Sequence, residues 1–430
     1  MHPETAAIRG GETSRMGLTP PVVTPIYQTA AFTLPSTAAA AGIFSLDQDG
    51  HAYTRLNNPT LDVLEERIAL LDGAVDSLAV ASGQAAVALA VLNLCQAGDN
   101  LVSSRELYGG TWNLLANTLH RLGIETRFVD PENPANFAAA TDAATRCYFA
   151  ETLPNPGLRM FPIAEVAEIA AGHGIPLILD NTMLPTVCRP MEFGADIVVY
   201  SATKYIGGHG SSLGGLIVDS GRFDWVAHRA RHPLITEPDD AHGGTVWTSA
   251  GDGLETHFAR SPYLLKARET LLRDFGPCLS PFNAFLLIQG VETLPIRMRV
   301  HCANAQLVAE YLAEHPKAAE VSYPSLSKGA ELDRAKRYLG AGFGPVLQFE
   351  VVGGREAGGR FIESLELISH VTNIGDVRTM ATHPASTTHA QLPAADQLAA
   401  GVTPGSIRLA VGLEHPDDLM ADIGRALDAA

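Results

Sequence analysis

Seven short apolar runs lie between residues 76 and 220, at 77–81, 100–103, 126–129, 147–150, 176–179, 197–200 and 216–218, separated by stretches with apolar residues at helical spacing. A strand with one face in water alternates apolar and polar side chains; these runs do not, so both of their faces must be covered. Strands buried on both sides and alternating with helices predict an α/β fold, a mostly parallel sheet of seven strands with helices on either face. A chain of 430 residues is also too long for one core, which calls for more than one domain.

Residues 1–58, rich in Thr, Pro and Gly and including PPVVTPIYQTAAF, are expected to form an extended arm. A helix begins behind it: Asn58 and Pro59 make an N-cap and first-turn pair, Leu61, Leu64, Ile68 and Leu71 recur at helical spacing, and Asp72-Gly73 ends the run. The α/β domain is placed at 59–260, with a loop at 231–256 where Pro, Gly, Asp and His accumulate. From 261 to 430, helical patterns at 284–289 and 296–313 precede strands at 346–352 and 407–411, the outline of a smaller α+β domain.

The formal charge is −17, and the basic residues form no cluster able to follow a phosphate backbone, which argues against nucleic acid as a partner. No apolar run reaches membrane-spanning length and the start, MHPET, lacks the pattern of a secretory signal, so no membrane association and a cytoplasmic location are expected. Cys95, Cys147, Cys188, Cys278 and Cys302 are widely spaced and read as free thiols. His383 and His389 flank a loop-like segment, but no histidine pair has metal-binding spacing, and no metal is assigned.

In a sheet of this kind ligands bind at the carboxyl ends of the strands. The run ending at 81 leads into Ser82-Gly83-Gln84 and an alanine-rich helix, an anion site in outline because first-turn amides and the helix dipole face outward. The run ending at 150 leads into Glu151-Thr152-Leu153-Pro154-Asn155, the one ending at 179 into Asp180-Asn181-Thr182, and the one ending at 200 into Ser201-Ala202-Thr203-Lys204. Singly, such residues are helix caps, turn formers or solvated lysines. Together they form the set that pyridoxal phosphate asks for: an amine for its aldehyde, an acid for its ring nitrogen, and hydroxyls with a helix N-terminus for its phosphate. A lysine in that role has to be partly desolvated, since its ordinary pKa near ~10.4 keeps it protonated. The glycines at 208, 210 and 214 are spaced one residue too far apart for a dinucleotide fingerprint.

The motifs SATKYIGGHG, DNT, ASGQAA, ELYGGT, ETLPNP, YTRLNNPT, HPASTTHAQL and SIRLAVGLE occur in the order and at the spacing of a known family. The chain resembles the Cys/Met metabolism family of pyridoxal-phosphate enzymes, of fold type I, from about residue 4 to residue 428. RHPLITEPDDAHGG, VTNIGD and the segment LSPFNAFLLIQGVETLPIRMRVHCANA look most like its O-acetylhomoserine sulfhydrylase branch. That branch exchanges the acetate of O-acetyl-L-homoserine for sulfide, giving L-homocysteine for methionine supply.

The resemblance implies a role for each matching position. Lys204 holds the cofactor as a Schiff base and then moves protons; Asp180 pairs with the ring nitrogen; Asn155 approaches the ring hydroxyl; Tyr108 stacks on the ring. Ser82, Gly83, Gln84, Ser201 and Thr203 hold the phosphate, with Tyr53 and Arg55 of a neighbouring subunit, so the arm serves the adjoining site and a homotetramer of two dimers is implied. Arg408 takes the substrate carboxylate, with Asn373 as a second contact and Tyr53 close to the substrate. The strand pattern agrees for Arg408, since Ile407, Leu409 and Val411 share one face and leave it on the other. Within the family, cystathionine γ-synthase, a methionine or cystathionine γ-lyase, and an O-succinylhomoserine sulfhydrylase remain alternatives. Methionine γ-lyases carry a cysteine where this chain has Gly110, and TNIG replaces the Ser-Leu-Gly of cystathionine γ-synthases.

Overall fold

The computed structural model describes residues 1–11, 21–155, 157–251, 254, 259–340, 342–387, 390 and 402–430. The first confident helix, Pro59–Asp72, forms as its ends dictate. The Asn58 side chain accepts from the Thr60 amide at 2.9 Å, Pro59 occupies the first turn, and Gly73 leaves the helix at φ 67°. That left-handed conformation is cheap only for glycine.

The seven apolar runs become β1 (Asp76–Val80), β2 (Asn100–Ser104), β3 (Glu125–Val129), β4 (Thr145–Glu151), β5 (Leu177–Asp180), β6 (Ile197–Ser201) and β7 (Gly215–Asp219), in the order β1-β7-β6-β5-β4-β2-β3. All pairings are parallel except those of β7, which runs against both β1 and β6. The reason lies in the connection: β6 and β7 are joined by a glycine-rich turn without a crossover helix, and a parallel return needs one. Lys204 sits in that turn. Alternate side chains enter two separate cores, Val198, Tyr200 and Val218 on one face and Ile197, Val199 and Ile217 on the other.

A second sheet, in the order β10-β11-β12-β9-β8, comprises β8 (Ala318–Ser322), β9 (Val346–Val351), β10 (Ser369–His370), β11 (Met380–Thr382) and β12 (Ser406–Ala410). Helices Gly354–Glu363 and Pro416–Ala429 close it over a core with Phe349, Phe361, Ile407, Leu409 and Ile423. The helix Leu294–Glu314 joins the two bodies: Leu294, Met298 and Cys302 pack into the first core, Ala305, Val308 and Leu312 into the second. Residues 262–298, expected with the C-terminal domain, therefore supply much of the packing around the first sheet, for example Tyr263, Leu265 and Leu287.

The arm departs from the extended form expected of it. Pro3–Arg9 and Thr37–Phe44 are helices, the second capped by Ser36, whose hydroxyl accepts from the Ala39 amide at 3.0 Å. Ala6 and Ala7 are buried, and Arg67 donates to the Gly10 carbonyl at 2.9 Å, so its start is packed on its own chain. The stretch 231–256 likewise contains a helical turn, Pro233–Thr236. Among the described residues no helix is long and apolar enough to cross a membrane, and no group of His, Cys, Asp or Glu gathers as a metal site. His383 is buried and donates to the Pro404 carbonyl at 2.7 Å; His389 lies outside the described residues.

Candidate active site

β7 starts at the edge where the other six strands of the first sheet end, so everything carried by those ends meets there. At β1 the helix Gly83–Leu92 begins with Ser82 as its cap, the hydroxyl accepting from the Ala85 amide at 3.1 Å. The first-turn amides of Gly83 and Gln84 have no acceptor within the helix. A Cβ on Gly83 would stand 2.6 Å from Ser201 Cβ and 2.9 Å from its Cα, so glycine is what lets the helix end approach the end of β6. The Ser201 amide donates to Thr182 Oγ1 at 2.7 Å, and Thr203 Oγ1 accepts from the Gly214 amide at 3.1 Å. The Gln84 side chain is engaged by Thr111, donating to its Oγ1 at 3.1 Å, while the Gln84 amide stays in the first turn of the helix. Outward amides beside two hydroxyls suit a phosphate.

Two carboxyls follow. Asp180 ends β5 and accepts from the Thr182 amide at 2.9 Å; burial raises its pKa, and the Thr182 hydrogen bonds act against that. Glu151 ends β4, directly beside Asp180 in the strand register, and accepts from the Tyr108 amide at 2.5 Å. Burial first, and the Asp180 charge second, push Glu151 well above the usual carboxylate range. Asn155 lies in the loop after β4 with its backbone turned to Glu151. Tyr108 precedes a short helix, Gly109–Asn113, and is 55% exposed, open to a ligand.

The cations come from both bodies. Lys204 donates from its amine to the side-chain oxygen of Asn373, whose backbone carbonyl accepts from Arg408 Nη2 at 3.1 Å. Burial lowers the lysine pKa, and the positive charge of Arg408 adds to the effect, so the neutral amine is favoured. Arg408 on β12 is itself buried, has no carboxylate partner among the described contacts, and keeps a buried Nε without a hydrogen bond. A buried guanidinium in that state is costly unless an anion joins it.

Asn373 thus connects the two cations: its side chain reaches the lysine, and its backbone reaches the arginine. Tyr53 and Arg55 make their described contacts elsewhere, Arg55 donating to the Arg273 carbonyl and lying 5.4 Å from the Tyr53 ring centre. Glu151 and Thr182 stand among the strand-end groups in the sequence without an individual role, and Thr111 lies outside that set. The one available sign was local: a charged residue closing the apolar run 147–150, and a threonine two residues after an aspartate, the pattern of an Asx turn.

The donor set fits pyridoxal phosphate. Lys204 would take the aldehyde, Asp180 the ring nitrogen, and the Gly83 and Gln84 amides with Ser201 and Thr203 the phosphate.

Comparison with known proteins gives a consistent picture. The family described as Cys/Met metabolism PLP-dependent enzyme matches residues 4–428. An O-acetyl-L-homoserine sulfhydrylase of Leptospira meyeri is 48% identical over 428 residues, covering 99% of this chain and 96% of its own. A homocysteine synthase of Schizosaccharomyces pombe is 42% identical, with 100% and 99% covered. The crystal structure of an O-acetylhomoserine (thiol)-lyase from Campylobacter jejuni, which carries a pyridoxyl-lysine phosphate, superposes with a TM-score of 0.92 at 35% identity, with 100% of both chains covered.

Proposed function

Because the chain belongs to the Cys/Met metabolism family of PLP-dependent enzymes, we propose that it is an O-acetylhomoserine sulfhydrylase, exchanging the acetate of O-acetyl-L-homoserine for sulfide to give L-homocysteine and acetate in methionine biosynthesis. The observation that carries this reading is Arg408, buried and without a carboxylate partner among the described residues, beside a lysine whose amine is driven towards neutrality. An amino acid presents the missing carboxylate to the one and its α-carbon proton to the other.

The bound cofactor supplies an electron sink that makes the proton on the substrate α-carbon acidic. The protein's share is positional. Arg408 fixes the α-carboxylate through a charge-assisted hydrogen bond. Lys204, on a turn held by Asn373, removes and returns protons at the α- and β-carbons while acetate leaves from the γ-carbon and sulfide enters there. Asp180 keeps the ring nitrogen protonated, and the first-turn amides of the 83–92 helix hold the phosphate still. Gly110 fits this reading better than a lyase with a cysteine there, because a Cβ at 110 would lie 2.5 Å from the Tyr108 ring.

The same reading makes the enzyme a homotetramer of two dimers, with Tyr53 and Arg55 serving the neighbouring site. Support comes from the arm and its surroundings, where Val22, Val23, Ile26, Phe44, Tyr53 and Trp112 stand exposed, the kind of apolar surface that a subunit covers. It also places the enzyme in the cytoplasm, in keeping with five free thiols. The deciding test is incubation with O-acetyl-, O-succinyl- and O-phosphohomoserine against sulfide, methanethiol and cysteine. Homocysteine from the acetyl ester and sulfide is expected; 2-oxobutyrate without thiol incorporation would overturn the assignment.

A further inference from the structure

Glu151 touches the supports of three site residues at once. The strand register pairs its Cα with that of Asp180, and paired residues on adjacent strands project to the same face of the sheet. Its Oε1 accepts from the Tyr108 amide at 2.5 Å, and the Asn155 backbone also bonds to it. It is 6% exposed and forms no ion pair among the described contacts. A buried carboxyl beside a half-buried one cannot ionise together with it at low cost.

Resting on the pyridoxal-phosphate reading of the site, we propose that Glu151 is a positioning residue that shares one proton with Asp180, and that the proton sits on Glu151 when the cofactor's ring nitrogen occupies Asp180. Glu151 then does two things. Its neutral carboxyl allows Asp180 to hold the full negative charge opposite the ring nitrogen. Its oxygen, accepting from Tyr108 and Asn155, keeps the ring-stacking residue and the ring-hydroxyl residue at fixed distances from Asp180. Burial and the Asp180 charge both act to keep the proton on Glu151, and the two backbone donors act the other way. Glu151 also lines a cleft of about 250 Å³ whose other charged residues are Glu106, Glu132, Arg159, Glu331 and Arg334. Arg159 is already engaged by Glu106 and Glu132, so it does not neutralise Glu151.

The test compares cofactor affinity rather than turnover. The purified, loaded protein and its Glu151→Gln and Glu151→Ala variants are dialysed to equilibrium against pyridoxal phosphate from about pH 6 to about pH 9, where a coupled carboxyl pair can lose its second proton. Glutamine has the shape of a neutral glutamate and still accepts from the Tyr108 amide. Glu151→Gln is therefore expected to bind the cofactor within ~3-fold of the unsubstituted protein at neutral pH, and to lose affinity more steeply on the alkaline side: a positive ring nitrogen beside Asp180 eases release of the Glu151 proton in the loaded protein, which favours binding as the pH rises, and glutamine has no such proton. Glu151→Ala removes the acceptor and should weaken binding ~10-fold or more.

A Glu151→Gln profile that superimposes on the unsubstituted one would overturn the proposal, as would a glutamine variant as weak as the alanine one. Circular dichroism checks that both are folded; if the alanine variant is not, the pH profile of the glutamine variant decides alone. Failure of the unsubstituted protein to bind pyridoxal phosphate at any pH would instead remove the underlying reading, and the proposal with it.

Discussion

Lys204 and Asn373 meet across the two bodies of the molecule: the amine on the β6–β7 turn donates to a side-chain oxygen carried by the segment before β11. The contact is one of several along the same seam. The Val377 amide donates to the Gly208 carbonyl at 2.8 Å, and Gly375, at φ 80°, lies so close that a Cβ would stand 2.7 Å from Lys204 Cα. The lysine is thus held from both sides, and its reach is set by how the second body docks.

Asn373→Asp places a negative charge against the amine without changing its shape. An opposite charge stabilises the ammonium form, so the lysine pKa rises, against the depression caused by burial and Arg408. Cofactor uptake needs the neutral amine, and its pH dependence should move upward accordingly in a stopped-flow titration.

Gly375→Ala forces a side chain against the Lys204 and Tyr205 backbone in a conformation that alanine seldom adopts. Destabilisation by about 1–3 kcal/mol is expected, as for overpacking elsewhere. Thermal unfolding of the loaded protein measures it, and an unchanged Tm would show that the seam is looser than the contacts indicate.

Lys204→Ala removes the proton carrier and the Schiff-base amine together. Turnover of O-acetylhomoserine should fall at least ~10³-fold, the scale of general-base catalysis, and the yellow colour of a lysine-bound cofactor should vanish. Absorbance and homocysteine formation are read on the same sample.

Arg408→Gln leaves the second body intact but removes the charge. The loss of a hydrogen bond between charged groups, ~1.5–3 kcal/mol, predicts a KM for the amino-acid substrate raised ~10–100-fold, with kcat less affected. Steady-state kinetics at saturating sulfide separate the two.

Asp72 governs a different property. It is buried beneath the sheet, accepts from the Tyr200 hydroxyl at 2.8 Å, and burial pushes its pKa up to about 7, against the hydrogen bond and the Arg189 charge. A folded-state pKa above the unfolded value favours the fold while the group is protonated. That stability is complete at acid pH, below the ordinary carboxylate pKa, and is lost as pH rises through about 7. Asp72→Asn should therefore flatten the decline of Tm between weakly acid and weakly alkaline pH, as followed by calorimetry. Asp196, also raised to about 7, keeps part of the slope in place.

The seven strands of the first sheet could be read within a residue or two because burial on both faces leaves an unbroken apolar run, a signal carried by neighbours in sequence. The helix 59–72 was legible for the same reason, its cap, its first-turn proline and its terminal glycine all being adjacent. The helices in the arm were obscured by flanking Pro and Thr, and β8, β10 and β11 were too short or too exposed to leave a periodic trace. Lys204, Asp180 and the Ser82-Gly83-Gln84 cap could be named because each lies at, or within a few residues of, the carboxyl end of a strand.

What the sequence determined by itself is the set of groups at the strand ends, since local periodicity places every one of those residues at the same edge of a parallel sheet. What only the tertiary structure decided is how those groups act on one another. That Glu151 stands beside Asp180 depends on strand order and register, which no local pattern encodes. That Arg408 is buried with no counter-ion among the described residues, close enough to Lys204 to lower its pKa, depends on the docking of a second sheet assembled from residues more than a hundred positions away. Desolvation and charge proximity set a pKa, and both belong to distances through space, not to distances along the chain.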